Sequence, residues 1–208
     1  PVSYQCYDAP TGGNLVAAAD SFVVPSIINQ DTYYIEYDAL TSSLTTTYAG
    51  GNGCDGNMFD LSTTTSTSVS AFDINIGTTG SADVEVYYMT NGSYVGNENN
   101  AAAWTLEGSY TVTAQGAGNP TNVTLNSAIP VTAGQVTAIY IHLPNGNIDY
   151  TNGANTYTNG ILTVNTGIGL CGAFGTVNNP RSFNGTIYTE SVACSTIRTP
   201  VTATSLTT

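Results

Sequence analysis

The sequence predicts an all-β protein built as an antiparallel sandwich, and three observations point there. Thr (34 residues), Asn (21) and Gly (22) together supply 77 of the 208 residues, and all three are poor helix formers. Apolar and polar residues alternate with period two along short segments. Asn-Gly pairs, which tolerate positive φ, fall between those segments.

The segments read as strands one after another. In Phe72-Asp73-Ile74-Asn75-Ile76 the apolar side chains share one face and the polar ones the other. Asp83-Val84-Glu85-Val86-Tyr87-Tyr88 and Tyr110-Thr111-Val112-Thr113 repeat the pattern, as expected of half-buried antiparallel strands. Residues 135–143 are apolar on both faces, which predicts a strand central to a sandwich. Asn91-Gly92, Asn145-Gly146, Asn152-Gly153, Asn159-Gly160 and Asn184-Gly185 mark turns. Residues 99–106, around Ala101-Ala102-Ala103-Trp104, are too short and too poorly capped for a helix and predict a loop entering a strand. The Ser/Thr-rich stretches 41–47 and 61–70 read as a solvated strand edge or surface loop, with a glycosylated patch as the alternative.

Composition excludes whole classes of function. Fourteen acidic residues face two arginines and no lysine, for a net charge of −12. Nucleic-acid binding needs cations to neutralise phosphates, so no nucleic-acid partner is expected, and adhesion to an anionic membrane is disfavoured for the same reason. Only 8% of residues are charged, yet 41% are hydrophobic and 14 are Tyr, enough to bury a core. No apolar run reaches transmembrane length, so direct membrane insertion is not expected. Pro1 opens without a basic or apolar leader, which predicts a removed signal or a longer parent chain.

The candidate chemistry is sparse. Cys6, Cys54, Cys171 and Cys194 are widely spaced, with no CxxC pair and a single histidine, so a structural zinc site is disfavoured. Two disulfides and an extracellular location are the expectation, against four buried free thiols. His142 lacks a nucleophile motif and reads as a satisfied strand histidine. Glu85 and Glu107 are candidates for a glycosidase carboxylate pair, but acids alternating with valine suit a solvent-facing strand equally well. The chain is therefore expected not to be an enzyme. No cofactor is required. Calcium is the cation to expect if one is bound, on the candidate loop Asn52, Asp55, Asn57 and Asp60, whose spacing does not match an EF-hand. Trp104, Tyr87, Tyr88, Tyr150 and Tyr157 are the candidate aromatic platform for a polysaccharide, against ordinary cross-strand packing. Arg181 and Arg198 are candidates for bidentate carboxylate pairing at a domain seam, against plain surface cations. Three sequons, at Asn91, Asn122 and Asn184, read as chance matches.

Two stretches carry a resemblance. Tyr7-Asp8-Ala9-Pro10-Thr11-Gly12-Gly13-Asn14-Leu15-Val16, then Phe22-Val23-Val24-Pro25-Ser26-Ile27 and Asp31-Thr32-Tyr33-Tyr34-Ile35-Glu36, are similar to the middle of an immunoglobulin-like repeat. That repeat occurs in very large secreted surface proteins of Bacteroidota, the cargo of the type 9 secretion system. Its closing strand resembles Cys194-Ser195-Thr196-Ile197-Arg198-Thr199-Pro200-Val201-Thr202-Ala203, more than 150 residues later. Between them, Thr46-Thr47-Tyr48-Ala49-Gly50-Gly51-Asn52-Gly53, Ala103-Trp104-Thr105-Leu106 and Asn179-Pro180-Arg181-Ser182-Phe183-Asn184-Gly185-Thr186-Ile187-Tyr188 resemble a jelly-roll-type module of secreted bacterial proteins. Cys6 stands where the repeat carries a core Trp, and the repeat's first two strands have no counterpart.

The resemblance implies a jelly-roll-like sandwich, residues 44–190, inserted into an incomplete immunoglobulin-like sandwich formed by residues 1–43 and 191–208. Residues 32–37 should then pair with residues 199–204. A jelly roll brings its first and last strands together, so Cys54 should bond Cys171, leaving Cys6 for Cys194 or a neighbouring chain. The implied function is a structural or adhesive module of a secreted cell-surface adhesin or filament. Its partners would be neighbouring modules or copies of itself, joined by strand addition. The alternative is a carbohydrate-binding module for extracellular polysaccharide.

Overall fold

A computed structural model describes residues 4–18, 30–37, 41–191 and 198–204. The chain divides into two compact units, Pro1–Leu40 with Val192–Thr208, and Thr41–Ser191.

The first unit contains β1 (Tyr4–Tyr7), β2 (Leu15–Ala18), β3 (Gln30–Tyr37) and, from the far end of the chain, β18 (Thr199–Thr204). They form an antiparallel sheet in the order β18-β3-β1-β2. The pairing of β3 with β18 sets Thr199 opposite Ile35 and Thr204 opposite Gln30, so strands at the two ends of the sequence are neighbours in space. Asp8 closes the β1–β2 turn by accepting hydrogen bonds from the backbone and side-chain amides of Asn14 (2.7 and 2.9 Å), which hold its carboxyl below the usual range. Gly13, at φ 73, packs so tightly on Asp8 that a β-carbon there would lie 2.5 Å from the carboxylate.

The second unit starts with β4 (Thr41–Thr45), β5 (Asn52–Cys54), β6 (Gly56–Thr63), β7 (Thr67–Asn75) and β8 (Thr79–Thr90). After one 3-10 turn, Ala101–Ala103, come β9 (Thr105–Gln115), β10 (Pro120–Val131), β11 (Val136–His142) and β12 (Ile148–Asn152). The rest are β13 (Tyr157–Thr158), β14 (Leu162–Val164), β15 (Gly167–Cys171), β16 (Thr176–Ser182) and β17 (Gly185–Ser191). A small sheet runs β10-β7-β17-β4, and a large one runs β5-β12-β16-β15-β6-β11-β8-β9, with β14 attached to β6 and β13 to β14. All of these strand pairs are antiparallel, and the fold is an all-β sandwich, as the period-two alternation predicts. Residues 99–106 behave as expected, apart from the single 3-10 turn before β9.

The core between the two sheets follows from that alternation. The small sheet contributes Phe72, Ile74, Val123, Ile129 and Ile187, and the large one Phe59, Leu61, Val84, Ile139 and Ile141. Phe183 stacks on Phe59, with ring centroids 4.4 Å apart, and meets Phe72 edge-on. The doubly apolar β11 lies between β6 and β8 and needs burial on both sides. Its Ile139 and Ile141 enter this core, while Ala138 and Tyr140 enter a second one on the opposite face of the large sheet.

Candidate functional site

Two surfaces of the second unit gather side chains with chemical potential, one on the outer face of each sheet.

On the large sheet the second core joins Met58 of β6, Tyr140 of β11 and Leu170 of β15 under Trp104 and Tyr94. Tyr140 lies at its centre, 5.6 Å from the Tyr87 ring, 5.9 Å from Trp104 and 4.9 Å from Phe174. Gly56 makes the room, because a β-carbon there would come within 2.7 Å of the Tyr140 ring. Phe174 adopts φ 51, uncommon for a bulky residue, in the turn between β15 and β16. Asn99 clamps that turn by donating to the carbonyls of Phe174 and Gly175 (2.8 and 2.6 Å). The segment from Asn91 to Trp104 thus forms a cover, held again where Asp60 accepts from the Ser93 hydroxyl (2.6 Å) and the Tyr94 amide (3.1 Å). Burial raises the Asp60 pKa in spite of those bonds. Trp104 donates its indole N–H to the Asn97 carbonyl (3.0 Å) and is only 8% exposed.

Beside this cluster, His142 Nδ1 lies 3.0 Å from Glu85 Oε2, and Tyr87 donates its hydroxyl to the same oxygen (2.9 Å). Burial and that carboxylate push the Tyr87 phenol up to about 12. His142 is 5% exposed and so is a satisfied strand histidine, as its sequence context implies. Glu107 lies at a bulge in β9 and turns the other way, accepting from the Ser127 amide (2.9 Å) and the Tyr110 hydroxyl. Glu85 and Glu107 are therefore engaged with different neighbours.

On the small sheet, alternation sends Phe72, Ile74 and Ile187 inward and Asp73 and Tyr188 outward. Asp73 accepts from the Tyr188 hydroxyl (2.7 Å) and from Asn122 Nδ2 (2.9 Å), and Asn122 in turn accepts from Thr124 (2.9 Å). The Asp73 carboxylate pushes the Tyr188 phenol up to about 12. A shallow groove of about 280 Å³ runs past the Tyr188 ring, lined by Asn122, Ser70 and Ala71 of β10 and β7 and by Thr41 and Ser42 of β4.

The remaining candidates fall as follows. Cys54 and Cys171 are joined, with Cα atoms 5.3 Å apart, as the jelly-roll resemblance implies. Cys6 is buried, and its expected partner Cys194 lies outside the described residues. The calcium loop is not a loop. Asn52 lies on β5, Asp55 at the turn, and Asn57 and Asp60 on β6, three residues apart and hence on opposite faces of the sheet. Asn57 donates to the Ile168 carbonyl (2.8 Å), and Asp55 accepts from the Gly172 amide (2.7 Å). Among the described residues no cluster of three His, Cys, Asp or Glu side chains could hold a metal. The five aromatic candidates do not share one surface. Trp104 and Tyr150 are buried, Tyr87 packs on Tyr140, and Tyr88 and Tyr157 pack against the inner core. Arg181 has no carboxylate partner among the described residues. It lies 5.8 Å over the Tyr150 ring and donates to the Pro180 carbonyl. Arg198 pairs through Nε with Glu36 (3.1 Å), donates to the Ala9 and Gly12 carbonyls, and covers the Tyr7 ring. Of the sequon asparagines, Asn184 is fully buried.

The sequence reading missed Tyr188 and Asp73 as a pair. The signal was present, because each alternates with an inward isoleucine or phenylalanine. Only the register of β17 on β7 puts them side by side. Among the described residues no helix is long and apolar enough to cross a membrane. No protein-family model and no curated protein sequence matches the chain.

Proposed function

We propose that this chain is a structural and adhesive β-sandwich module of a secreted surface protein or extracellular filament, working without catalysis. The observation that carries the reading is how its reactive and aromatic side chains are used. His142 and Tyr87 both bond Glu85, and Trp104, Tyr140 and Phe174 weld a cover onto the outer face of the large sheet. The result is a module with two cores sharing one sheet, stapled by the Cys54–Cys171 disulfide, and such a bond persists in an oxidising extracellular setting.

Two further features favour assembly. In the first unit β2 and β18 end the sheet order, and they carry the exposed side chains Leu15, Val16 and Val201. Strand ends of this kind accept a strand from a neighbour, and a head-to-tail contact that does not close into a ring grows into a filament. The finer assignment we propose is an immunoglobulin-like sheet carrying a jelly-roll-type insert, in the manner of type 9 secretion cargo of Bacteroidota. The test is dissociation of the purified chain in denaturant, followed by dilution over a range of concentrations. Light scattering and electron microscopy should find fibres regrowing above a threshold concentration, or beads-on-a-string particles when copies are fused in tandem. Monomers that stay inert in both formats would refute the reading.

A further inference from the structure

The adhesive reading leaves open what is gripped, and the outer face of the small sheet answers it. We infer that the groove beside Tyr188 binds a neutral polysaccharide, with the Tyr188 ring as the stacking surface. This inference rests on the adhesive reading above.

Four observations converge. Tyr188 is 36% exposed, the largest aromatic surface on the groove wall, although most aromatic side chains of this unit are packed inside. Its ring is fixed rather than free, because the hydroxyl is anchored on Asp73, and Asp73 is itself held by Asn122 (2.7 and 2.9 Å). A preorganised surface loses less side-chain freedom on binding than a mobile one. Beside the Ala71 methyl, the rest of the lining carries hydroxyls and an amide: Thr41, Ser42, Ser70, Thr189 and Asn122. Among the described residues the Thr41 and Ser70 hydroxyls have no hydrogen-bond partner in the protein. A volume of about 280 Å³ lies just below the range of roughly 300–1,000 Å³ usual for enclosed small-molecule pockets, which suits a surface-bound sugar ring of a long chain.

Charge selects among glycans. Asp73, bonded to the Tyr188 hydroxyl and to Asn122 of the lining, sets a carboxylate next to the groove, and the chain has net charge −12 with two cations, both engaged elsewhere. A uronate or sulfated polymer would approach like charge with no cation to meet it. A neutral hexose or pentose polymer carries no charge to be repelled and meets donors, acceptors and a ring. Asn122 carries a sequon, but its amide is committed to Asp73, which fits a wall residue rather than a modified one.

The full-length chain should be run in affinity gels containing neutral polysaccharides (β-glucan, xylan, galactomannan) and acidic ones (alginate, polygalacturonate). Retardation is expected in at least one neutral polymer and in neither acidic one. Tyr188→Ala should weaken it at least tenfold, whereas Tyr188→Phe keeps the ring and should retain most of it. Trp104 emission, read in every variant, shows whether the unit is still folded; if Tyr188→Ala is unfolded, Ser70→Tyr, which fills the groove, replaces it. Retardation by acidic polymers, undiminished binding by folded Tyr188→Ala and Ser70→Tyr, or no retardation in any gel would each overturn the inference. Fibre regrowth measured on the same variants separates the two proposals: loss of glycan binding with assembly intact identifies the groove, and failed assembly with binding intact leaves the groove standing.

Discussion

Replacing Cys54 and Cys171 together by alanine removes a cross-link between residues 117 apart in sequence. On the chain-entropy relation a loop of that length restricts the denatured state by about 5 kcal/mol at 25 °C, and loss of a native disulfide costs about 2–5 kcal/mol in practice. Cys54 also packs against the inner core, so alanine sheds some apolar contact as well. For a unit of about 150 residues each kcal/mol moves the melting temperature by roughly 2–4 °C. The expected fall is therefore roughly 4–20 °C. Circular dichroism melts without reductant measure it. The denaturant slope should rise, because the open chain exposes more surface on unfolding. Dithiothreitol should bring the wild type down toward the variant. A variant that melts within about 3 °C of wild type, less than the smallest shift the cost allows, would refute the reasoning.

Other outcomes follow from the same structure. Trp104 is the sole tryptophan and is buried, so its emission should be blue-shifted and poorly quenched by iodide; Trp104→Ala should cost about 3–5 kcal/mol in urea titration, as a large core truncation does. Gly167→Ala would set a β-carbon 1.9 Å from the Met58 carbonyl oxygen, which the sheet holds in place, so overpacking should exceed the usual 1–3 kcal/mol, about enough to make the protein insoluble on expression. Burial raises the Asp60 pKa above its unfolded value of 3.8, so its contribution is fully present below pH 3.8 and is lost as pH rises through the folded pKa. Asp60→Asn, which keeps an acceptor for Tyr94, should gain on wild type in melting temperature across that rise, and a constant offset at all pH values would count against the burial of Asp60.

The strands were legible because one side of each is buried. Phe72 and Ile74 against Asp73, and Val84 and Val86 against Glu85, spell out the alternation that a half-covered sheet imposes. The doubly apolar stretch 135–143 correctly marked a central strand, β11, with cores on both sides. What covers its outer face was not legible, because the Asn91–Trp104 cover is held by single polar contacts such as Asp60 with Tyr94, which leave no periodic trace. The calcium and sugar candidates are scattered over the sheets for a related reason. Composition places oxygen ligands and aromatic rings near each other in sequence, but a strand sends neighbours to opposite faces. Asn57 and Asp60 were separated that way. Tyr188 and Asp73, which the sheet brings together, lie 115 residues apart, so only the β7–β17 register reveals them.

The account rests on this module working outside the cell as part of a surface or filament, and labelling intact producing cells tests that most directly. Antibody raised against residues 41–191, applied without permeabilisation, should decorate the cell surface or extended fibres, as seen by immunogold electron microscopy. Labelling that arises only after permeabilisation, with none on the surface or on fibres, would contradict it.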